Sequence, residues 1–210
     1  MAGKIFEGPQ KGAWIRPVSE RSTAELSELD RRFENGEHPS VGDIIRVPMK
    51  AASPHKYQTE NHQIDDKFYW RRIAPSDPTK LAQWIDKKSG PLWENHSSST
   101  SGLNDRVDEG RAAASVAAFG GSLCLLQVND LGIHVAVEGA AFNNAKRKVR
   151  GDFSYDGHRY RMAITDPKIE AEYLAKGDGE YHIGKSLVCI SLGDEYKGHA
   201  YKLIASVFME

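Results

Sequence analysis

The sequence predicts a mainly β protein with a few short helices, and three observations support this. Two runs of alternating apolar and polar residues flank an Asp-Gly pair at 156–157, four further short runs have strand composition, and one short helical pattern precedes the last two of them. Alternation with a period of two is typical of strands that bury one face. With one helix among so many strands, the pattern favours a small closed β structure over a sheet covered by helices on both sides.

The clearest element is a hairpin over residues 148–164. One of its faces is predicted to be apolar, and it carries Val149, Phe153, Tyr155, Tyr160, Met162 and Ile164. The Asp156-Gly157 pair between the two runs is typical of tight turns whose central residues both have positive φ. The other face is mostly basic, so this hairpin has one side for a core and one side for solvent or a ligand.

Four more strands and a helix complete the second half. The strands are predicted at Leu123–Val128, Gly132–Val137, Ser186–Leu192 and Ala200–Phe208. Pro167 fits the first position of a helix after Thr165-Asp166, and Gly177 fits its end. Five or six strands with one short helix before the last two suit a small closed barrel such as the OB-fold.

The first half is less regular. Its candidate strands are Lys4–Phe6, Ala13–Val18, Asp43–Val47 and Phe68–Arg71, and its candidate helices are Thr23–Arg32 and Thr79–Asp86. These elements indicate a second small β-rich unit. The segment 94–121, rich in Ser, Gly and Ala, is interpreted as a linker or mobile loop.

Composition and charge exclude several classes. The chain has 210 residues, of which 40% are hydrophobic and 27% charged, and a net charge of -1. This is ordinary globular composition, and a near balance of 28 basic and 29 acidic residues excludes binding to nucleic acid by bulk charge. No apolar run is long enough to span a bilayer, and the start of the chain has no signal-peptide pattern, so we expect a cytoplasmic protein without a membrane partner.

Enzyme, cofactor and metal signatures are weak. Residues 179–186 satisfy the pattern G-x-x-x-x-G-K-[ST], but a helix precedes them and a strand follows, the reverse of a phosphate-binding loop. A hairpin turn that happens to fit the pattern is the alternative. The eight histidines and two cysteines lack tight metal-ligand spacing. We therefore predict no catalytic residue, cofactor or metal, and a non-enzymatic protein is favoured.

Three local features could bind nucleic acid. The first is a cluster of cations between residues 146 and 161, made of Lys146, Arg147, Lys148, Arg150, Arg159 and Arg161. Exposed on a barrel, this cluster could follow a phosphate backbone, although a solvated sheet face would have the same composition.

The other two features combine aromatic and basic residues. In the run Phe68-Tyr69-Trp70-Arg71-Arg72, alternation places Phe68 and Trp70 on a core face and leaves Tyr69 and Arg71 as contact candidates. In the run WIRPV at 14–18, Trp14 and Arg16 share one face of a strand, where they could contact a base or form a structural cation–π pair.

Several segments together resemble the dual-OB (Duob) domain family of prokaryotes. They are WIRPVS at 14–19, GDIIRVP at 42–48, P-H-x-Y-Q-x-E-N at 54–61, DRV at 105–107, F-x-Y-x-G-x-x-Y at 153–160, ITDP at 164–167, LVCISLG at 187–193 and YKLI at 201–204. The resemblance covers nearly the whole chain. It implies two OB-like small barrels packed together, which we assign to residues 1–110 and 111–210.

The resemblance also implies nucleic-acid-related or defence-related roles, without a catalytic residue set. Polar residues within the shared segments are candidates for a pocket: Arg16, His55, Gln58, Glu60, Asn61, Asp105, Arg106, Thr165 and Asp166. Structural roles are the alternative: Asp166-Pro167 as the start of a helix, and Asp105-Arg106 as a buried pair.

Three hypotheses follow. The leading one is a non-enzymatic protein that binds single-stranded DNA or RNA, or senses a nucleotide, with a prokaryotic defence system as the setting that the resemblance implies. The second is an adaptor for a separately encoded protein partner, which near-zero net charge favours. The third is an enzyme or small-ligand binder in which His55, Glu60, Asp65 and Arg106 converge in a pocket. The oligomeric state is left open by all three.

Overall fold

The structure is a computed structural model that describes residues 1–140 and 143–209, except for the side chain of Pro78. The chain divides into two compact units, Met1–Trp84 and Ile85–Glu210. Strands outweigh helices in both, which confirms a mainly β fold with a few short helices. The sequence places its domain boundary after residue 110, whereas residues 85–110 pack within the second unit. For example, Leu92 N donates to the Tyr160 hydroxyl, and the Trp93 indole donates to Gly121 O.

The strands of the first unit form two sheets. The strands are β1 Gly3–Lys4, β2 Trp14–Val18, β3 Ile44–Arg46, β4 Met49–Ala52, β5 Asn61–Ile64 and β6 Arg71–Ala74. One sheet has the order β1-β2-β5-β4, with β2 and β5 parallel, and β3 pairs with β6 in the other. The core contains Phe33, Ile64 and Trp70, against which Ile45 of β3 packs.

The first-half predictions are partly confirmed. Strands near residues 4, 14–18 and 44–46 are present, but the predicted strand Phe68–Arg71 lies further along the chain, at β6. The predicted helix Thr23–Arg32 is wrong except for one 3-10 turn, Leu29–Arg31. Here Ser27 N donates to Asp30 Oδ2 at 2.6 Å, a local hydrogen bond that competes with helix formation. The predicted helix Thr79–Asp86 is a 3-10 segment, Pro78–Trp84.

A five-stranded barrel forms most of the second unit. Its strands are β8 Leu123–Glu138, β9 Lys146–Tyr155, β10 His158–Ile164, β11 Gly179–Tyr196 and β12 His199–Met209. They pair in the order β10-β9-β8-β11-β12, and a parallel pairing of β10 with β12 closes the ladder. The helix α2, Pro167–Lys176, lies in the chain between the third and fourth barrel strands. This is a small closed barrel of the OB type, as the sequence predicted.

The hairpin and α2 confirm their sequence signals. Tyr155 pairs with His158, and the two turn residues Asp156 and Gly157 have φ of 45° and 78°. Asp166 caps α2 by accepting from Lys168 N and Ile169 N. Inside the barrel the Phe153 and Tyr160 rings stack with centroids 5.5 Å apart.

The predicted pair of strands at 123–128 and 132–137 is one continuous strand, β8. Its partner β11 pairs Ser186 with Val128 and Gly184 with Leu131, so Asn129 and Asp130 face the single Lys185 in a bulge. The bulge contains the polar interruption that suggested two strands.

The interpretation of residues 94–121 as a linker or loop is wrong for their second half. Strand β7, Arg106–Asp108, pairs with β12, and helix α1 occupies Glu109–Phe119. Alanine is the strongest helix former, so the Ala-rich run that was interpreted as loop composition favours a helix. Upstream of β7, Leu103 exchanges backbone hydrogen bonds with Arg161 of β10. No helix in the described part of the chain is both long and apolar enough to cross a membrane.

Candidate nucleic-acid interface

The small sheet of β3 and β6 has two unlike faces. Ile45 and Arg72 are directly opposite, and so are Arg46 and Arg71. Because opposite residues in an antiparallel pair point to the same side, the first pair and the second pair lie on different faces. Ile45 packs against the core, so its face is the inner one and the Arg46–Arg71 face is the outer one.

The inner arginine is neutralised. Arg72 Nε donates to Asp43 Oδ2 at 3.1 Å, and its Nη1 donates to Glu37 Oε2 at 3.2 Å. Its guanidinium also lies 4.9 Å from the centroid of the Phe33 ring. The carboxylates of Asp43 and Glu37 therefore neutralise the charge of Arg72.

The outer arginines have no such partners. Arg46 and Arg71 are both exposed, and within residues 1–140 and 143–209 neither guanidinium forms an ion pair or a hydrogen bond. Like charges directly opposite on a β ladder are destabilising. An anion placed between the two side chains would relieve this repulsion.

Exposed aromatic rings adjoin the two arginines. Tyr69, two residues before Arg71, is 45% exposed, and Phe68 is 60% exposed. The guanidinium of Arg32 lies over the Tyr69 ring at 5.3 Å. Ile73, two residues after Arg71, is unpaired at the register shift between β3 and β6 and is also exposed. We call this set the arginine–aromatic surface; it consists of Arg32, Arg46, Phe68, Tyr69, Arg71 and Ile73.

The alternation that the sequence predicts for residues 68–72 holds for part of that segment. Trp70 is 1% exposed and belongs to the core, and Tyr69 and Arg71 point outward as predicted. Phe68 was expected in the core, and its exposure corrects that prediction. The backbone turns at this point, where Phe68 N donates to Asp65 O, so strand alternation does not extend back to residue 68.

The basic hairpin face of the second unit is mostly neutralised, contrary to its predicted role as an open phosphate contact. Arg150 is 9% exposed and forms a bidentate contact with Glu138, in which Nε donates to Oε1 at 2.6 Å and Nη2 donates to Oε2 at 2.8 Å. Its Nη1 also lies 3.3 Å from Asp105 Oδ2. Burial lowers the pKa of Arg150, but the two carboxylates outweigh burial and raise it. Arg150 is thus a structural cation.

The remaining hairpin cations differ in their partners. Arg159 and Arg161 share Asp152, at 3.4 and 2.6 Å, and Arg147 Nε donates to Asp178 Oδ1 at 2.6 Å. Lys146 and Lys148 are exposed. The six cations that the sequence groups together do not form one open basic face.

The polar residues of the first unit form their own contacts. Arg16 pairs with the mostly buried Glu60 at 2.9 Å, and Asn61 donates to Gln58 at 3.4 Å. Trp14 has the Lys4 ammonium 5.2 Å from its ring, so its cation partner is Lys4. His55 pairs through its backbone with Gln58. Asp65 accepts from Lys67 N in a turn.

The predicted pocket residues of the second unit have structural partners of their own. Asp105 accepts from Ser99 and lies near Arg150, whereas Arg106 donates to Ser97. Asp166 caps α2 and also accepts from Val207 N, so its role is structural. Thr165 donates to Ile204 O.

The most buried charge, Lys202, was missed by sequence reasoning. Its Nζ donates to Glu94 O at 2.8 Å and to Asn95 Oδ1 at 3.1 Å, and the side chain is fully buried. Burial lowers the pKa of Lys202 to about 7, against the opposing effect of the Asp105 and Glu94 charges. The alternation of residues in β12 predicts that the Lys202 side chain points away from the apolar face of the strand. Nothing in the neighbouring sequence indicates that residues 94–95 bury this side chain.

The phosphate-loop pattern has a structural role. Residues 179–186 lie within β11 and pair with β8, so the segment is neither a phosphate loop nor the hairpin turn that was its alternative. Among the described residues, no group of three or more His, Cys, Asp or Glu side chains is placed to hold a metal ion.

The fold and these surfaces define a protein of the OB-barrel class. The chain matches the profile of the dual OB-containing domain family over residues 1–207 and belongs to that family. No curated protein and no solved structure matches it. The resemblance noted in the sequence is thereby confirmed at the level of the family.

Proposed function

We propose that this protein binds single-stranded nucleic acid through the arginine–aromatic surface of its first unit. One observation carries the proposal: Arg46 and Arg71 lie opposite each other, exposed and, among the residues that the structure describes, without a carboxylate partner, beside the exposed ring of Tyr69. Binding, rather than catalysis, is the role that these residue types support.

The chemistry of the surface matches a single strand. Arginine contacts phosphate through several N–H donors at once, and an exposed tyrosine ring offers a face on which any base can stack. In a duplex the base faces are already stacked on each other, so the tyrosine ring would find no free base face on which to stack. The side chains on this surface are basic, aromatic or aliphatic, so binding is expected to tolerate many sequences.

Membership of the dual OB-containing domain family supports the proposal at the level of the family, because OB barrels commonly bind oligonucleotides on a strand face. The second unit offers less for this purpose. Its hairpin arginines are held by Glu138, Asp105 and Asp152, and a polyanion would have to displace those carboxylates.

Fluorescence anisotropy with labelled single-stranded DNA and RNA of mixed sequence tests the proposal. Loss of a stacking partner in Tyr69→Ala is expected to weaken binding roughly 5- to 150-fold. Arg71→Ala should weaken binding and reduce the slope of log affinity against log salt by about 0.7, the value for one phosphate contact on a single strand.

The matched control is Arg159→Ala, which removes an equally charged and 70% exposed side chain from the second unit. It should change affinity little. Equal losses for Arg159→Ala and Arg71→Ala would show that overall charge governs binding, and no binding of either nucleic acid at low salt would refute the function.

A further inference from the structure

The outer arginines of the first unit lie on the same face of one sheet. As directly opposite residues, Arg46 and Arg71 have Cβ atoms about 5 Å apart on the same face. Tyr69 lies two residues along from Arg71, which is about 6.7 Å on an extended chain. A single nucleotide could therefore place its phosphate between the guanidinium groups and its base on the ring.

We propose that this surface takes the phosphorylated end of a single strand, with the terminal phosphate monoester between Arg46 and Arg71 and the terminal base on Tyr69. This inference rests on the proposed function and specifies its ligand. It adds a preference for one chemical group that internal nucleotides lack.

The charge of the site favours a monoester. A phosphodiester within a strand carries one negative charge and two free oxygens, whereas a terminal phosphate carries nearly two charges and three acceptor oxygens. Two guanidinium groups, each with five N–H donors, match the terminal group in both charge and hydrogen bonds.

The neighbours of the arginine pair also favour an end. A surface that follows a strand needs further cations at successive phosphates. Beyond Arg71, however, the chain continues to Ile73, an exposed aliphatic side chain. On the other side, the Arg32 guanidinium lies 5.3 Å from the centroid of the Tyr69 ring and is engaged with that ring. Lys67 adds one further exposed cation before Phe68, so the surface offers few of the successive phosphate contacts that a long strand needs.

Competition binding tests the inference on the full chain. Four competitors are forms of one oligonucleotide: with a 5′-phosphate, with a 3′-phosphate, with hydroxyls at both ends, or closed into a circle. The fifth competitor is a nucleoside 5′-monophosphate. One terminal phosphate should tighten binding by about tenfold or more over the hydroxyl and circular strands, because it adds charge-assisted hydrogen bonds. The two phosphorylated strands show which end is taken.

The variant Arg46→Lys keeps the charge and removes the planar donor fork. It should bring the ratio of the affinities for the phosphorylated and hydroxyl strands close to one, whatever affinity it loses for the hydroxyl strand itself. Arg46 is exposed, so folding should be intact, and circular dichroism checks this.

The possible outcomes separate the two proposals. If all strands bind equally and Arg71→Ala still weakens them, the end preference is wrong and the proposed function stands. If the preference exists but survives Arg46→Lys and Arg71→Ala, it arises elsewhere and the inference is overturned. If no strand binds, the proposed function itself is refuted.

Discussion

In the first unit, Arg46 and Arg71 lie side by side on an exposed sheet face, and no carboxylate in the described part of the chain is paired with them. In the second unit, Arg150 is buried between Glu138 and Asp105, and Arg159 and Arg161 share Asp152. In sequence the hairpin of the second unit is the more basic of the two regions. The partners supplied by the fold, and not the local number of cations, therefore decide which region can receive an anion.

The cause lies in how each sheet is built. The closed barrel brings β8 alongside β9 and the segment before β7 against β10, so acids distant in sequence reach the hairpin. The two-stranded sheet of β3 and β6 has only two ladder partners, and its acids gather on the inner face around Arg72. Its outer face keeps its charge.

The largest effect expected from this comparison is on stability. Arg150→Ala leaves the carboxylates of Asp105 and Glu138 without their cation, and breaking a buried pair in this way costs about 3–5 kcal/mol. Arg71→Ala removes an exposed side chain and should change the free energy of unfolding by less than about 0.5 kcal/mol. Urea unfolding followed by circular dichroism measures both.

Nucleic-acid binding should show the reverse order. Arg71→Ala should lose affinity, and any loss in Arg150→Ala should follow its unfolding and disappear under conditions where the variant is folded. Equal stability of the two variants would contradict a structural role for Arg150.

The elements that could be predicted are those encoded by neighbouring residues. The Asp156-Gly157 turn, the Asp166 cap with Pro167, and the end of α2 at Gly177 each follow from local backbone preferences. The strands β4 and β5 were missed because they are short and partly polar, and pairing with each other and with β2 defines them. That information is not local.

Part of the candidate site could be predicted from local sequence, and the rest could not because it depends on pairing between distant residues. Tyr69 and Arg71 were found because alternation around an apolar Trp70 turns them outward. Arg46 also lay in a predicted strand, but its position opposite Arg71 depends on a pairing 25 residues apart. Asp105, which lies near Arg150 across 45 positions, could not be assigned to it from sequence either.

The buried Lys202 makes the stability of the protein depend on pH. Its pKa of about 7 in the native state lies below 10.5, the usual value for a lysine side chain. Below pH 7 both native and unfolded chains carry the proton. Between about 7 and 10.5 the unfolded chain binds a proton that the native chain does not, so this group makes stability rise with pH, on the order of 1 kcal/mol per pH unit.

Lys202→Met should remove that rise. Unfolding free energies of wild type and variant at pH 7, 8 and 9 give the difference in slope, and Lys168→Met, at an exposed lysine of α2, should keep the wild-type slope. Parallel curves for wild type and Lys202→Met would show that Lys202 keeps an ordinary pKa despite its burial.

A smaller effect tests how tightly the barrel is closed. A Cβ added at Gly151 would lie 2.4 Å from Ile204 Cδ1 and 3.4 Å from Leu131 Cδ1. Overpacking of this kind costs about 1–3 kcal/mol, so Gly151→Ala should lower the unfolding midpoint. Gly3→Ala, in the first unit, meets no atom within 4 Å and should be neutral. If Gly151→Ala left the unfolding midpoint unchanged, the side chains inside the barrel would be able to rearrange at little cost.

The smallest effect has the opposite sign. Replacing Arg46 by Ala removes one of two like charges that face each other on β3 and β6, and opposite like-charged pairs cost about 0.2–1 kcal/mol. Arg46→Ala should therefore unfold at slightly higher temperature at low salt, and the gain should shrink as salt screens the repulsion. The same variant should bind single strands less well. A gain in stability coupled to a loss of binding is what a surface kept charged for a ligand should show, whereas a loss of both would mean that Arg46 supports the fold.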